Sequence, residues 1–131
     1  LRDRHSENPL DRVQPVVTKD ELLNLIQEAR AVEANDRIFD YVTTLAEATR
    51  THPMVELGVS PRGALALCRM AKAHAFLAGR DFVVPEDVAV VFSDVCAHRL
   101  ILSAKARMME EKAENILAEI LKSVDMPVLK A

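Results

Sequence analysis

The sequence has no tryptophan, one tyrosine and only three glycines in 131 residues, so the aromatic strands and glycine-rich turns of sandwiches and barrels have little to be built from. Its two cysteines, Cys68 and Cys96, are far apart, carry no CxxC spacing and sit inside apolar segments. A disulfide framework is therefore not indicated, and with no secretory leader the chain reads as cytoplasmic, with reduced thiols. No apolar stretch approaches the roughly 20 residues that span a bilayer, because charge interrupts each one within a turn or two. The 17 Lys and Arg against 20 Asp and Glu give a net charge of −3, and no long run of one sign offers a phosphate-tracking surface, so nucleic acid is not an expected partner. The four histidines, His5, His52, His74 and His98, lack zinc-ligand spacing. There is no GxxxxGK[ST] loop, and no Cys or Ser stands beside a His and an orienting acid. Unaided catalysis is not expected.

Half the residues are hydrophobic, which is enough for one domain with a core of its own. Residues 1–12 mix both charges around Asn8-Pro9 and read as a linker or frayed terminus; residues 13–131 read as the domain. Val13-Gln14-Pro15-Val16-Val17 is a short extended piece. Thr18 and Glu21 match a capping box for a first helix running to about Arg30, with Leu22, Leu23, Leu25, Ile26 and Ala29 as its apolar face. Asn35 or Asp36 caps a second helix, carrying Ile38, Phe39, Val42, Leu45 and Ala46, which stops at His52-Pro53. After the loop from Met54 to Val59, Ser60-Pro61 opens a third helix. Its face is Ala64, Leu65, Cys68, Ala71, Ala75 and Phe76, and Gly79 is its stop. Asp81 to Val84 is extended. Pro85-Glu86-Asp87 starts a fourth helix facing inward with Val88, Val91, Phe92, Val95 and Cys96. Leu100 to Leu102 form an apolar exit, and Ser103 caps a last helix carrying Met108, Met109, Ala113, Ile116, Leu117, Ile120 and Leu121 up to Pro127. The expected fold is an all-α bundle of about five helices, with a very short β pairing allowed between extended connections.

Arg62 falls in the first turn of the third helix, where the macrodipole is positive and a cation is disfavoured. Two readings fit: a helix N-terminus plus guanidinium built for an anion such as phosphate, or an exposed arginine paired with Glu56. His98-Arg99 is either a second polar site or a basic pair placed by helix C-terminal electrostatics. Met108-Met109 is either a partner-binding feature or core packing, the bland reading being preferred. Glu110, Glu111 and Glu114 alternate with Lys105, Arg107 and Lys112 as on a solvated helix face.

The run Leu57-Gly58-Val59-Ser60-Pro61-Arg62-Gly63, then Gly79-Arg80-Asp81-Phe82-Val83-Val84-Pro85-Glu86-Asp87-Val88, then His98-Arg99-Leu100, resembles in order and spacing the C-terminal lid of MoxR-type AAA+ ATPases. There the pieces read approximately GxSPRA, GRxYVxPEDV and LxHRL, after a helix ending in ATR, here Ala48-Thr49-Arg50. The likeness spans about residues 16–127. It implies that Arg62 is the sensor 2 arginine, reaching with Ser60 and Pro61 toward the terminal phosphate of ATP on the large subdomain of the same chain or of a neighbouring subunit. It also implies ATP and Mg²⁺ as ligands of the full-length parent, a hexamer, and a chaperone-like role on a client protein such as one with a von Willebrand A domain. Gly63 departs from the usual alanine, and Val84 from the usual Thr or Ser, removing a cap worth about 1 kcal/mol. Walker A, Walker B, sensor 1 and the arginine finger belong to the large subdomain. The chain opens on Leu1 rather than Met, as a processed chain or a piece of a longer one would, and by itself is expected to hydrolyse no ATP and to bind no nucleotide tightly. The competing class is a stand-alone helical module for protein interaction or weak DNA binding.

Overall fold

A computed structural model describes residues 9–128. The linker expected over residues 1–12 lies outside the described residues up to position 8; Pro9–Arg12 form a 3-10 turn. Six α-helices follow: α1 (Lys19–Ala31), α2 (Asp36–Thr51), α3 (Pro61–Leu77), α4 (Pro85–Cys96), α5 (Ala104–Met108) and α6 (Ala113–Ser123). Two short strands, β1 (Val55–Leu57) and β2 (Ile101–Leu102), pair antiparallel. This is the expected all-α bundle with its small β pairing.

The helix starts follow from local chemistry. Thr18 Oγ1 accepts the Glu21 N–H at 3.2 Å while Glu21 Oε2 accepts the Thr18 N–H at 2.7 Å, closing the capping box. Asn35 Oδ1 accepts from Arg37 N–H at 2.9 Å, and Ser60 and Ser103 accept from Gly63 and Ala106 N–H at 3.2 and 3.3 Å. Each hydroxyl or amide satisfies a donor that the helix cannot. At the end of α3, Gly79 has φ 74° and the Arg80 N–H returns to Ala75 O at 3.0 Å, the left-handed stop that favours glycine.

The core is built from α2 (Ile38, Tyr41, Val42, Leu45), α3 (Leu67, Ala71, Ala75), α4 (Val88, Val91, Phe92, Val95, Cys96) and α6 (Ile116, Leu117, Ile120). Leu67, Ala71 and Ala75 form an i, i+4 row whose small members let α3 and α4 approach closely at the bundle centre. The expected α3 face is corrected here. Leu67 and Gly63 are buried while Leu65 is 59% exposed, because α3 packs on α4 with one stripe and on α1 with another.

Two further expectations change. The apolar face of α1 forms as expected, yet α1 buries no residue, and Leu22, Leu23, Leu25 and Ile26 remain 38–49% exposed. The single last helix from Ser103 to Pro127 is two helices. Its chain turns at Glu110, which has φ 55°, with Glu110 N–H bonded to Arg107 O at 3.2 Å and Glu111 N–H to Ala106 O at 3.0 Å. This is the same left-handed termination as at Gly79, built with glutamate. It turns Met108 and Met109 outward, 87% and 59% exposed, so they do not pack in the core. A side chain in the left-handed region costs about 1 kcal/mol. Glu110→Gly is therefore expected to raise stability by about that amount, read as a higher midpoint in urea unfolding; an unchanged or lower midpoint would contradict the strain.

Candidate functional site

Ser60, Pro61 and Arg62 lie together at the exposed start of α3. Unlike α1, α2 and α4, this helix has no acidic residue in its first turn. Arg62 makes no hydrogen bond or ion pair with any described residue, and Glu56, the surface partner considered for it, lies instead 3.7 Å from Arg107. The guanidinium thus adds to the positive helix end rather than being neutralised, an arrangement suited to an anion.

The loop leading into α3 is gripped by the end of α2. The buried Thr49 hydroxyl donates to Ala46 O at 2.6 Å and accepts the Val59 N–H at 2.9 Å. Arg50 Nε donates to Val59 O at 2.9 Å. Both backbone groups of Val59 are therefore held, and its side chain is fully buried. A Cβ on Gly58 would stand 2.7 Å from Arg50 N, Arg50 Cγ and Thr49 Oγ1, so the close approach of the two segments requires glycine there. On the other side, a Cβ on Gly63 would meet Val59 Cγ1 at 2.7 Å and Arg99 Cδ at 3.2 Å. The departure from alanine at 63 thus accommodates the seated Val59 and the Arg99 stem. Arg99 itself sends Nη1 to Val95 O and to His98 Nε2, so it serves the end of α4, as helix electrostatics favours. The pieces at 48–50, 58–63 and 98–99 converge around the α3 start and fix where Arg62 begins.

Arg62 was legible from its position after Ser60-Pro61, but the Thr49–Arg50 grip was not. Its signal is the glycine at 58, just beyond the polar helix end Thr49-Arg50, which gains meaning only once α2 and α3 are adjacent. Replacing Thr49 by the isosteric Val would leave the buried Val59 N–H unpaired. We expect a loss of about 1–3 kcal/mol, measured by urea unfolding; a variant as stable as the parent chain would show that this bond does not hold the loop.

A second polar cluster escaped the sequence reading. Asp87, 1% exposed at the start of α4, accepts from Arg80 Nη1 and Nη2 at 2.8 and 2.5 Å and from Val84 N–H at 2.8 Å. His74 Nδ1 lies 2.7 Å from its Oδ1. Val84 lacks the hydroxyl that would cap α4, and the Asp87 carboxylate takes up the Val84 N–H from inside the helix. Among the described residues no three His, Cys, Asp or Glu converge as a metal site. Cys96 is buried, which pushes its thiol up to about 11, while Cys68 is only half-buried.

Comparison with known proteins agrees with this arrangement. Residues 47–120 match the family described as the AAA lid domain. The chain is 36% identical over 128 residues to the uncharacterized protein YeaC of Bacillus subtilis, covering 98% of this chain and 40% of that protein. It is 30% identical over 129 residues to the chaperone MoxR1 of Mycobacterium tuberculosis, covering 92% of this chain and 34% of that protein. A crystal structure of a candidate ATPase from Cytophaga hutchinsonii superposes with a TM-score of 0.86 at 30% identity, over 97% of this chain and 41% of the other. The chain thus spans about two fifths or less of the length of these relatives. No described helix is long and apolar enough to cross a membrane. With the ATR, SPR and HRL pieces meeting at the start of α3, the chain belongs to the AAA lid domain family, as a lid of the MoxR-type AAA+ ATPases.

Proposed function

We propose that this lid serves a longer cytoplasmic ATPase and presents Arg62 as its sensor 2 arginine to the terminal phosphate of ATP held by the large nucleotide-binding subdomain. The observation that carries the reading is an arginine with no hydrogen-bond or ion-pair partner among the described residues, in the first turn of α3, on a helix start fixed by Thr49, Arg50 and Gly58. Such a group stabilises charge on the transferring phosphoryl group, and its hold is released when that phosphate leaves. Ser60 caps the helix and Pro61 presets its first residue, so both orient the site. Mg²⁺ would be held by the nucleotide and the large subdomain, since this chain offers no metal cluster among its described residues.

Loss of the phosphate then shifts α3 and with it the bundle, because α3 is packed centrally against α4. In a ring of subunits, six by the family resemblance, that motion would act on a client protein in the manner of a chaperone, a von Willebrand A domain being the client class to try first. The test of the parent reading is the coding sequence in frame upstream of Leu1. A GxxxxGK[ST] loop and a Walker B strand within about 250 residues are expected; a start codon close upstream without them would return the chain to an independent helical module.

A further inference from the structure

One flank of the bundle carries charge of a single sign. α3 holds no Asp or Glu in its 17 residues, although acids outnumber Lys and Arg by 20 to 17 over the whole chain. Between α3 and α1 lies an open cleft of about 640 Å³. Ile26, Leu65 and Cys68 form its apolar floor, Arg30, Arg69 and Lys72 its rim, and no carboxylate lines it. Glu21 of α1 is bonded instead to Thr18, and Glu28 lines a separate hollow beside Phe76. Lys72 Nζ donates to Arg30 O at 3.2 Å and so ties the two walls together. The Arg30 and Arg69 guanidinium groups have no hydrogen-bond or ion-pair partner among the described residues.

The floor and the rim together select an occupant. α1 packs chiefly on α3, which leaves Leu22 and Ile26 at 49% and 38% exposure, and Leu65 across the cleft is exposed as well. A groove with one apolar wall from each of two helices is the shape that a third, amphipathic helix fills, through side chains at i, i+3 or i+4 and i+7. Unpaired cations around such a groove lose water when it is covered. Acids on the flanks of the incoming helix offset that loss, whereas a neutral or basic helix does not. A nucleic acid would meet the cations but leave the apolar floor without a contact.

We propose that the α1–α3 cleft is a docking site for an acidic amphipathic helix of a partner protein. The apolar side chains of that helix lie on Ile26, Leu65 and Cys68, and its flanking Asp or Glu side chains meet Arg30 on one wall and Arg69 and Lys72 on the other. The charges set which partners are accepted and how fast they arrive, and the apolar contacts set how long they stay. The site does not use Arg62, so it stands or falls separately from the phosphate reading.

The test titrates the full-length parent with a labelled leucine–glutamate peptide of about 15 residues, long enough to form a helix, with leucines at the spacing above and binding read by fluorescence anisotropy. Cys68 reports the place. Its alkylation by iodoacetamide, followed by peptide mass, is expected to slow at least tenfold when the peptide saturates. Arg30→Glu together with Arg69→Glu should weaken binding at least tenfold and admit the matching leucine–lysine peptide, which the unsubstituted protein rejects. Leu65→Ser should weaken binding with every charge kept, and circular dichroism melts confirm that each variant is folded. Affinity indifferent to the charge reversals overturns the proposal. So does a leucine-free polyglutamate or a DNA duplex that binds as well as the peptide, which would mark a general polyanion surface. Cys68 already protected in the full-length parent without peptide would give the cleft to the large subdomain, and that result, like an absence of binding, also overturns it.

Discussion

Asp87→Ala is expected to cost the fold about 3–5 kcal/mol, a large part of the 5–15 kcal/mol typical of a domain, the upper bound being about 15. The carboxylate is buried and gathers three elements: His74 near the end of α3, Arg80 in the connection, and Val84 at the start of α4. Removing it leaves the Val84 N–H without its acceptor and the Arg80 guanidinium with only the Phe82 carbonyl, at 3.0 Å, at the junction of the two central helices. Burial alone would raise the Asp87 carboxyl, but its bonds from Arg80, the Val84 N–H and His74 outweigh burial and hold it below the ordinary carboxylate range. Because the folded value is depressed, the stabilisation is present above the unfolded pKa of about 4 and is lost as pH falls through the folded value. Thermal melts from pH 7 downward should thus show the parent chain losing stability below about pH 4, with Asp87→Asn less stable at neutral pH and converging on it in acid. Parallel melting curves at all pH values would remove the cluster from the stability account.

The second large effect is on turnover. In the full-length parent, Arg62→Ala is expected to lower ATP hydrolysis by roughly 10²–10³-fold, the range for loss of one preorganised group that stabilises developing charge. The lid itself should keep its melting temperature, because Arg62 is exposed and makes no hydrogen bond or ion pair with a described residue. This separates Arg62 from Thr49 and Arg50, whose loss acts by loosening the loop before α3 and should lower stability and turnover together. Hydrolysis unchanged in Arg62→Ala would take the residue out of the mechanism.

How much of this could be read from residues alone depends on how local each signal is. Thr18, Asn35, Ser60 and Ser103 announce helix starts because a short polar side chain satisfies an N–H two or three residues on, and the structure places all of them as caps. Gly79 likewise announces a stop. The break at Glu110 was invisible because Met108, Met109, Glu111 and Lys112 are all good helix formers and no glycine marks the turn. Periodicity found the apolar face of α1 but could not say that its packing on α3 leaves every α1 residue short of burial. It placed Ala71 and Ala75 of α3 in the core correctly but set Leu65 beside them and missed Leu67, which completes their buried row. Arg62 was found by its place in a first turn. The groups that hold the α3 start, and the Arg80–Asp87–His74 cluster, join residues from separate elements, and such partners are settled by packing.

The measurement that bears most directly on the central claim is the affinity of the full-length parent for ATP and for ADP, in the parent sequence and in Arg62→Ala. If Arg62 meets the terminal phosphate, the substitution weakens ATP by about tenfold or more, as expected for a lost charge-assisted bond of about 1.5–3 kcal/mol, and leaves ADP unchanged. Equal effects on both nucleotides, or on neither, would contradict the account.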